Sequence, residues 1–176
     1  NNRIILTDVD GVLLEWEKHF TEWMLHRSYY NDNNERVYPY KLLPNKENTY
    51  EMAERFGLTI PQIRKEIREF NKSAWMGNQA PMPNSQTWVK LLAAEGWTFI
   101  PITSQTSDIP AQLLRKKRLG ELFGDHIFTN SVARLASKGL RIIAAVGRGE
   151  ISRKLQMAVH EVVNLELSVA EDSLSA

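Results

Sequence analysis

The sequence predicts an α/β protein: a mostly parallel, Rossmann-like sheet with a small helical cap inserted after the first strand. Three observations carry this. A short β-branched run, Arg-Ile-Ile-Leu-Thr-Asp at 3–8, stands at the beginning, the pattern of a strand buried on both faces. From residue 84 onward, apolar runs of strand length alternate with helical periods, and such alternation builds βαβ units and a parallel sheet. Between these, residues 15–83 show little strand signal and are bracketed by segments rich in helix breakers.

The first strand ends at Asp8-Val9-Asp10-Gly11-Val12, where glycine lets the chain turn sharply after the carboxylates. A helix is predicted over 14–29, with Trp16, Phe20, Trp23 and Met24 on its apolar side. An irregular excursion rich in Asn, Tyr and Pro follows over 30–48. Residues 49–56 read as a short helix closed by Gly57. Thr59-Ile60-Pro61 opens another, with Ile63, Ile67 and Phe70 facing inward. Residues 77–83 form a breaker-rich hinge. Asn84 or Ser85 caps a helix that Gly96 ends, and 97–102 is the second core strand. Asp108-Ile109-Pro110 starts a helix with Leu113, Leu114 and Leu119 as its apolar residues. A short strand at 126–129, a run able to form a strand at 139–146, a helix at 151–160 and a final strand at 162–169 complete the chain. The domains are then 1–14 with 84–176 as the α/β core, and 15–83 as the cap.

Bulk properties narrow the function. The chain has 176 residues, enough for one compact domain and short for two. Net charge is +1, from 22 basic and 21 acidic residues, which gives no support for a large nucleic-acid or membrane footprint. Arg115-Lys116-Lys117-Arg118 is the densest basic run, read here as a solvated helix face. No cysteine is present, excluding disulfides, zinc–thiolate sites and thiol catalysis. No apolar stretch reaches the length of about eighteen residues that a membrane-spanning helix needs. Asn1-Asn2-Arg3 runs directly into the first strand without a signal-peptide layout, so a cytoplasmic protein is expected.

Parallel sheets place their ligands off the carboxyl ends of the strands, and three predicted strand ends carry suitable groups. At the first, Asp8 and Asp10 are two carboxylates one residue apart, a costly arrangement unless a cation joins them. Magnesium, which prefers oxygen ligands and takes one or two carboxylates with a phosphate oxygen, suits them. One carboxylate can then attack phosphorus while the other moves protons. The competing reading is an Asp-Gly turn whose side chains cap backbone amides. At the second end, the Thr103 hydroxyl and the backbone around Ser104 can hold phosphate oxygens, or merely cap a helix. At the third, Glu171 and Asp172 can complete a metal site, or form an exposed acidic tail.

These residues resemble the sequence motifs of the haloacid dehalogenase (HAD) superfamily. Asp8-Val9-Asp10-Gly11-Val12-Leu13 resembles its first motif, Thr103-Ser104 its second and Glu171-Asp172 its fourth. The opening and the Thr-Ser pair are also similar to the deoxyribonucleotidase branch and to small phage-encoded members. The resemblance implies a HAD-like fold and a magnesium-dependent phosphatase with Asp8 as nucleophile and Asp10 as general acid, then base. Magnesium would be held by the Asp8 carboxylate and the Asp10 carbonyl, with Glu171 or Asp172 orienting it. Thr103 and amides near Ser104 would bind the phosphoryl group. The motif lysine is assigned to Lys154, with Lys138 as the rival. The stretch 130–165 departs from the family pattern, which keeps a catalytically impaired binding protein in view. Action on nucleic-acid ends is a third reading. The expected partner is a small phosphorylated substrate, with nucleotides among the candidates; the cap that sets specificity matches no readable pattern. Gly147-Arg148-Gly149 is read as a turn, His19 and His26 as helix-surface or cap residues, and the five tryptophans mostly as core, one of them able to stack on a base.

Overall fold

A computed structural model describes residues 3–102, 108–127, 141–146 and 161–164. Strand β1 (Arg3–Asp8) is followed by α1 (Trp16–His26), β2 (Tyr29–Tyr30), β3 (Arg36–Val37), α2 (Met52–Phe56), α3 (Ile60–Lys72) and a 3₁₀ turn at Ala74–Gly77. Then come α4 (Ser85–Ala94), β4 (Trp97–Ile102), α5 (Ile109–Phe123), a second 3₁₀ turn (Gly124–His126), β5 (Arg141–Val146) and β6 (Glu161–Asn164).

Four strands form one sheet in the order β4-β1-β5-β6, every pair parallel. The α/β reading with a parallel sheet is therefore observed. β1 lies inside the sheet, with Asp8 opposite Ile102 of β4 and Thr7 opposite Ala145 of β5. Its Ile4, Ile5, Leu6 and Thr7 are all buried, as expected of a strand covered on both faces. Ile5 and Phe99 join Val9, Leu13, Leu14, Val89 of α4, and Leu119 and Phe123 of α5 in one apolar cluster.

A second cluster gathers Phe20, Trp23 and Met24 of α1, Met52, Ala53 and Phe56 of α2, Ile63 and Phe70 of α3, and Met76. Phe20 stacks on Trp16 at 4.9 Å between centroids and meets Phe70 edge-on at 5.5 Å. All of this cluster's buried members fall between β1 and α4. The two strands of chain that join this segment to the sheet run side by side. Glu15 N–H donates to Ala80 O, Met82 N–H to Leu13 O, and Leu14 and Pro81 form an antiparallel bridge.

Local signals account for three helix ends. Thr59 and Gln62 form a reciprocal capping box on α3, Gly57 closes α2 at φ 63°, and the Asp108 carboxylate accepts from Ala111 N–H at the start of α5. Four expectations are corrected. The excursion at 30–48 contains a hairpin: β2 pairs antiparallel with β3, closed by Asn31, whose side-chain oxygen accepts from Asn33 and Glu35, and by Asn34 at φ 58°. Strands of two residues are too short to show alternation. Asn84 occupies the capping position of α4 at φ 66° without a side-chain cap bond, and the buried Ser85 hydroxyl donates instead to Leu13 O. His126 belongs to a 3₁₀ turn, and only Ile127 bridges to Phe99 in the expected strand direction. Trp88 is 47% exposed rather than core. The predicted helix at 151–160 and the strand residues 128–129 and 165–169 lie outside the described residues.

Phe20 is fully buried at the centre of the second cluster. Phe20→Ala is expected to cost about 3–5 kcal/mol, lowering Tm by roughly 10 °C in thermal unfolding. Leu113→Ala, at an exposed position on α5, should stay within about 0.5 kcal/mol of wild type.

Candidate active site

The site starts where β1 stops. Val9 is wholly buried and anchors the chain between Asp8 and Asp10. Its carbonyl accepts from Leu13 and Leu14 N–H, each at 2.9 Å, and Gly11 N–H donates to Leu14 O at 2.9 Å. Gly11 has φ 77°, and a Cβ there would meet nothing within 4 Å. The turn therefore demands glycine for its backbone angle, not for space. The result is two half-buried carboxylates held by a tight turn at the carboxyl end of an interior strand.

The Asp8 carboxylate accepts from Val9 N–H at 2.7 Å. Burial pushes the Asp8 carboxyl above its ordinary value of 3.8, opposed by the Val9 amide and the positive charge of Arg115. Part of the competing turn reading is thus realised, since one carboxylate oxygen does bind a local amide. Lost hydration thus outweighs both the amide and the Arg115 charge.

Arg115 is the residue the sequence reading missed. Its guanidinium donates to Asp10 Oδ1, and its side chain is 5% exposed against 37% for Asp10. Burial lowers Arg115 to about 10, with Asp8 pulling it back up, so it remains a cation at neutral pH. The predicted solvated run at 115–118 is corrected: Lys116 and Lys117 are exposed, but Arg115 is buried and Arg118 donates to Gln79 O at 2.9 Å. The apolar face of α5 is corrected with it. The buried row is Ala111, Arg115, Leu119 and Phe123, while Leu113 is 61% exposed. That row has i,i+4 spacing, so a charged residue inside it was a signal available beforehand.

Of the other expected site residues, Thr103, Ser104, Lys154, Glu171 and Asp172 lie outside the described residues, as does Lys138. β4 ends at Ile102, opposite Asp8. β6, the strand on the path toward Glu171 and Asp172, pairs with β5 and not with β1. At about 4.8 Å per strand, the described end of β6 belongs to a strand roughly 10 Å from β1. The strand actually flanking Asp8 on that side is β5. Among the described residues, no group of three or more His, Asp or Glu side chains could hold a metal ion. His19 is half-buried on α1: its Nε2 accepts from Ala80 N–H at 2.8 Å, bracing α1 against the joint at 80–82. Among the described residues, no helix is long and apolar enough to cross a membrane.

No family model and no curated protein matches the chain. Among solved structures it is similar to a HAD family hydrolase from Deinococcus radiodurans R1 with bound phosphate and sodium, at 15% identity over 94% of this chain and 92% of that one, TM-score 0.41. It is also similar to a predicted phosphatase from Clostridium acetobutylicum, at 15% identity over 99% of each chain, TM-score 0.48. Likeness at this level bears on neither reaction nor substrate.

The Asp8 shift has a consequence for stability. A carboxyl raised by folding contributes stability that is complete below its unfolded value near 3.8 and is lost as pH climbs through the folded value. In metal-free buffer near pH 7, Asp8→Asn is expected to raise Tm by about 1–3 °C, after allowance for solvent screening. The gain should shrink steadily as unfolding is measured toward pH 4. An unchanged or lower Tm near pH 7 would show that burial does not govern this carboxyl.

Proposed function

We propose that the chain is a magnesium-dependent phosphomonoester hydrolase of the HAD type, acting through an aspartyl-phosphate on Asp8. The observation that carries this reading is a desolvated carboxylate at the end of an interior parallel strand, with a second carboxylate two residues on and a buried cation facing both. Burial of Asp8 that its amide and Arg115 offset only in part is the state expected of a group whose proper partner is a further cation or an electrophile.

The donors fit a hard divalent cation. Asp8 and Asp10 offer carboxylate and carbonyl oxygens on a turn fixed by four backbone hydrogen bonds, and magnesium takes such oxygens. Asp8 and Asp10 would hold the ion, with Glu171 or Asp172 as further proposed ligands. The ion's contribution when bound is to offset charge on the phosphoryl oxygens.

The residues do the following work in this reading. Asp8 attacks phosphorus and forms its own acyl-phosphate bond while the ester P–O bond breaks. Asp10 passes a proton to the leaving oxygen. Water then attacks the same phosphorus, Asp10 takes its proton, and Asp8 and inorganic phosphate are released. Thr103, the backbone near Ser104 and Lys154 are proposed to bind the phosphoryl oxygens. Residues 15–83, which enclose their own apolar cluster, are proposed as the cap over this site. The substrate class proposed is a small phosphate monoester, with nucleotides first among those to try.

One observation favours a second reading, a catalytically impaired binding protein. Arg115 occupies an oxygen of Asp10, and a carboxylate gripped by a guanidinium is a poor proton donor. Hydrolysis of p-nitrophenyl phosphate separates the two. The enzyme reading expects turnover that needs Mg2+, stops in EDTA and falls by about 10³-fold or more in Asp8→Asn. Absence of turnover together with Mg2+-dependent binding of a phosphate analogue such as tungstate would leave the binding reading in its place.

A further inference from the structure

The guanidinium of Arg115 faces both carboxylates proposed above to hold a divalent cation. It reaches the site from the buried row of α5, bonds Asp10 and interacts electrostatically with Asp8. Burying a guanidinium this fully is unfavourable unless carboxylates face it, and holding two carboxylates beside one turn is unfavourable unless a cation faces them. Each half of the arrangement answers the other without any metal. A second, doubly charged cation held by the Asp8 carboxylate and the Asp10 carbonyl meets like-charge repulsion from the guanidinium bonded to the same aspartate.

We propose that Arg115 is the resident counter-cation of this site: it holds the Asp8–Asp10 pair in the metal-free protein and must loosen its hold on Asp10 when a divalent cation binds. The proposal rests on the metal-binding reading above and adds an internal competitor to it. Three features of the molecule make Arg115 suited to this. Its pairing oxygen belongs to the more exposed carboxylate, where water can take its place. Its stem leans toward the start of α5, as helical side chains do, so the charge reaches the carboxylates from a position further along the helix. Its guanidinium carries a charge that arginine keeps at any ordinary working pH.

The test uses the full chain as wild type, Arg115→Met, Arg115→Gln and Arg115→Lys. Thermal unfolding in EDTA gives the metal-free stability, and titration with Mg2+ gives a Kd from the rise in Tm. Met and Gln are expected to lower Tm in EDTA by about 5 °C and to bind Mg2+ at least about tenfold more tightly than wild type. Lys, which keeps the charge, should return the Mg2+ affinity to within about threefold of wild type. Met fits the apolar row better than Lys, so a merely packing role would reverse that order. If Met fails to fold, Gln and Lys supply the same contrast. Wild-type or weaker Mg2+ affinity in Met and Gln, with measurable binding throughout, overturns this proposal and leaves the metal site standing. Mg2+ without effect on any of the four proteins overturns both.

Discussion

The pairing of a buried guanidinium with two carboxylates at one strand end is the constraint that organises this molecule. Asp8 is desolvated by the packing that makes β1 an interior strand. Asp10 follows because the turn is pinned by Val9, which has no exposed surface. Neither carboxylate is satisfied by its local backbone alone. Arg115 supplies the missing charge from a helix distant in sequence. Breaking a fully buried pair by removing one partner costs about 3–5 kcal/mol. The figure here is smaller, because Asp10 keeps 37% of its side-chain surface in solvent. That exposure matters more for function than for stability: it leaves one carboxylate able to change partners while the other stays fixed.

The topology explains why the charge comes from α5. β1 has β4 on one side and β5 on the other, so its carboxyl end is bordered by the points at which those strands finish. α5 is the first helix after β4, and it must return along the sheet to let the next strand run parallel. Its start is therefore at the same end as Asp8. Arg115 lies six residues past Ile109, about 9 Å along the helix. A long side chain leaning back toward the helix start recovers most of that distance. The lysines at the neighbouring positions 116 and 117 are exposed instead, since the buried row passes only through Ala111, Arg115, Leu119 and Phe123.

The sequence made the sheet and the first motif legible because both are local signals. A β-branched run ending in Asp-x-Asp-Gly needs only six to ten residues to be recognised, and the capping box at Thr59 or the left-handed Gly57 needs four. The hairpin at Tyr29–Tyr30 and Arg36–Val37 was not legible, because its strands are shorter than one alternation. The role of His19 was hidden for another reason: its partner, Ala80, is sixty-one residues away and contributes a backbone amide, which leaves no trace in sequence. Arg115 sits between these cases. Its position on an i,i+4 row was readable, but the adjacent Lys-Lys-Arg made the whole run look solvated, and exposed Leu113 drew the apolar face one residue-step around the helix. A charge run is a property of composition, whereas burial follows phase, and phase is the stronger argument when the two disagree.

Three residues beyond Arg115, the same helix makes a second long-range contact. Arg118 Nε donates to Gln79 O, and Gln79 is itself fully buried, its amide donating to Met76 Sδ at 3.1 Å. Gln79 adjoins Ala80, the residue to which both Glu15 and His19 are bonded. α5 therefore touches the carboxylate pair through Arg115 and the joint at 79–82 through Arg118, on positions separated by about 4.5 Å of helix rise. A helix moves as a unit over so short a span. Any displacement of the segment between β1 and α4 that carries Gln79 with it must either break the Arg118 bond or pull on the helix that supplies the charge at Asp10. The two apolar clusters are thus joined both by the paired connecting segments and by a helix that holds the site through Arg115 and the joint through Arg118, and the electrostatics of Asp10 cannot be indifferent to where that joint sits.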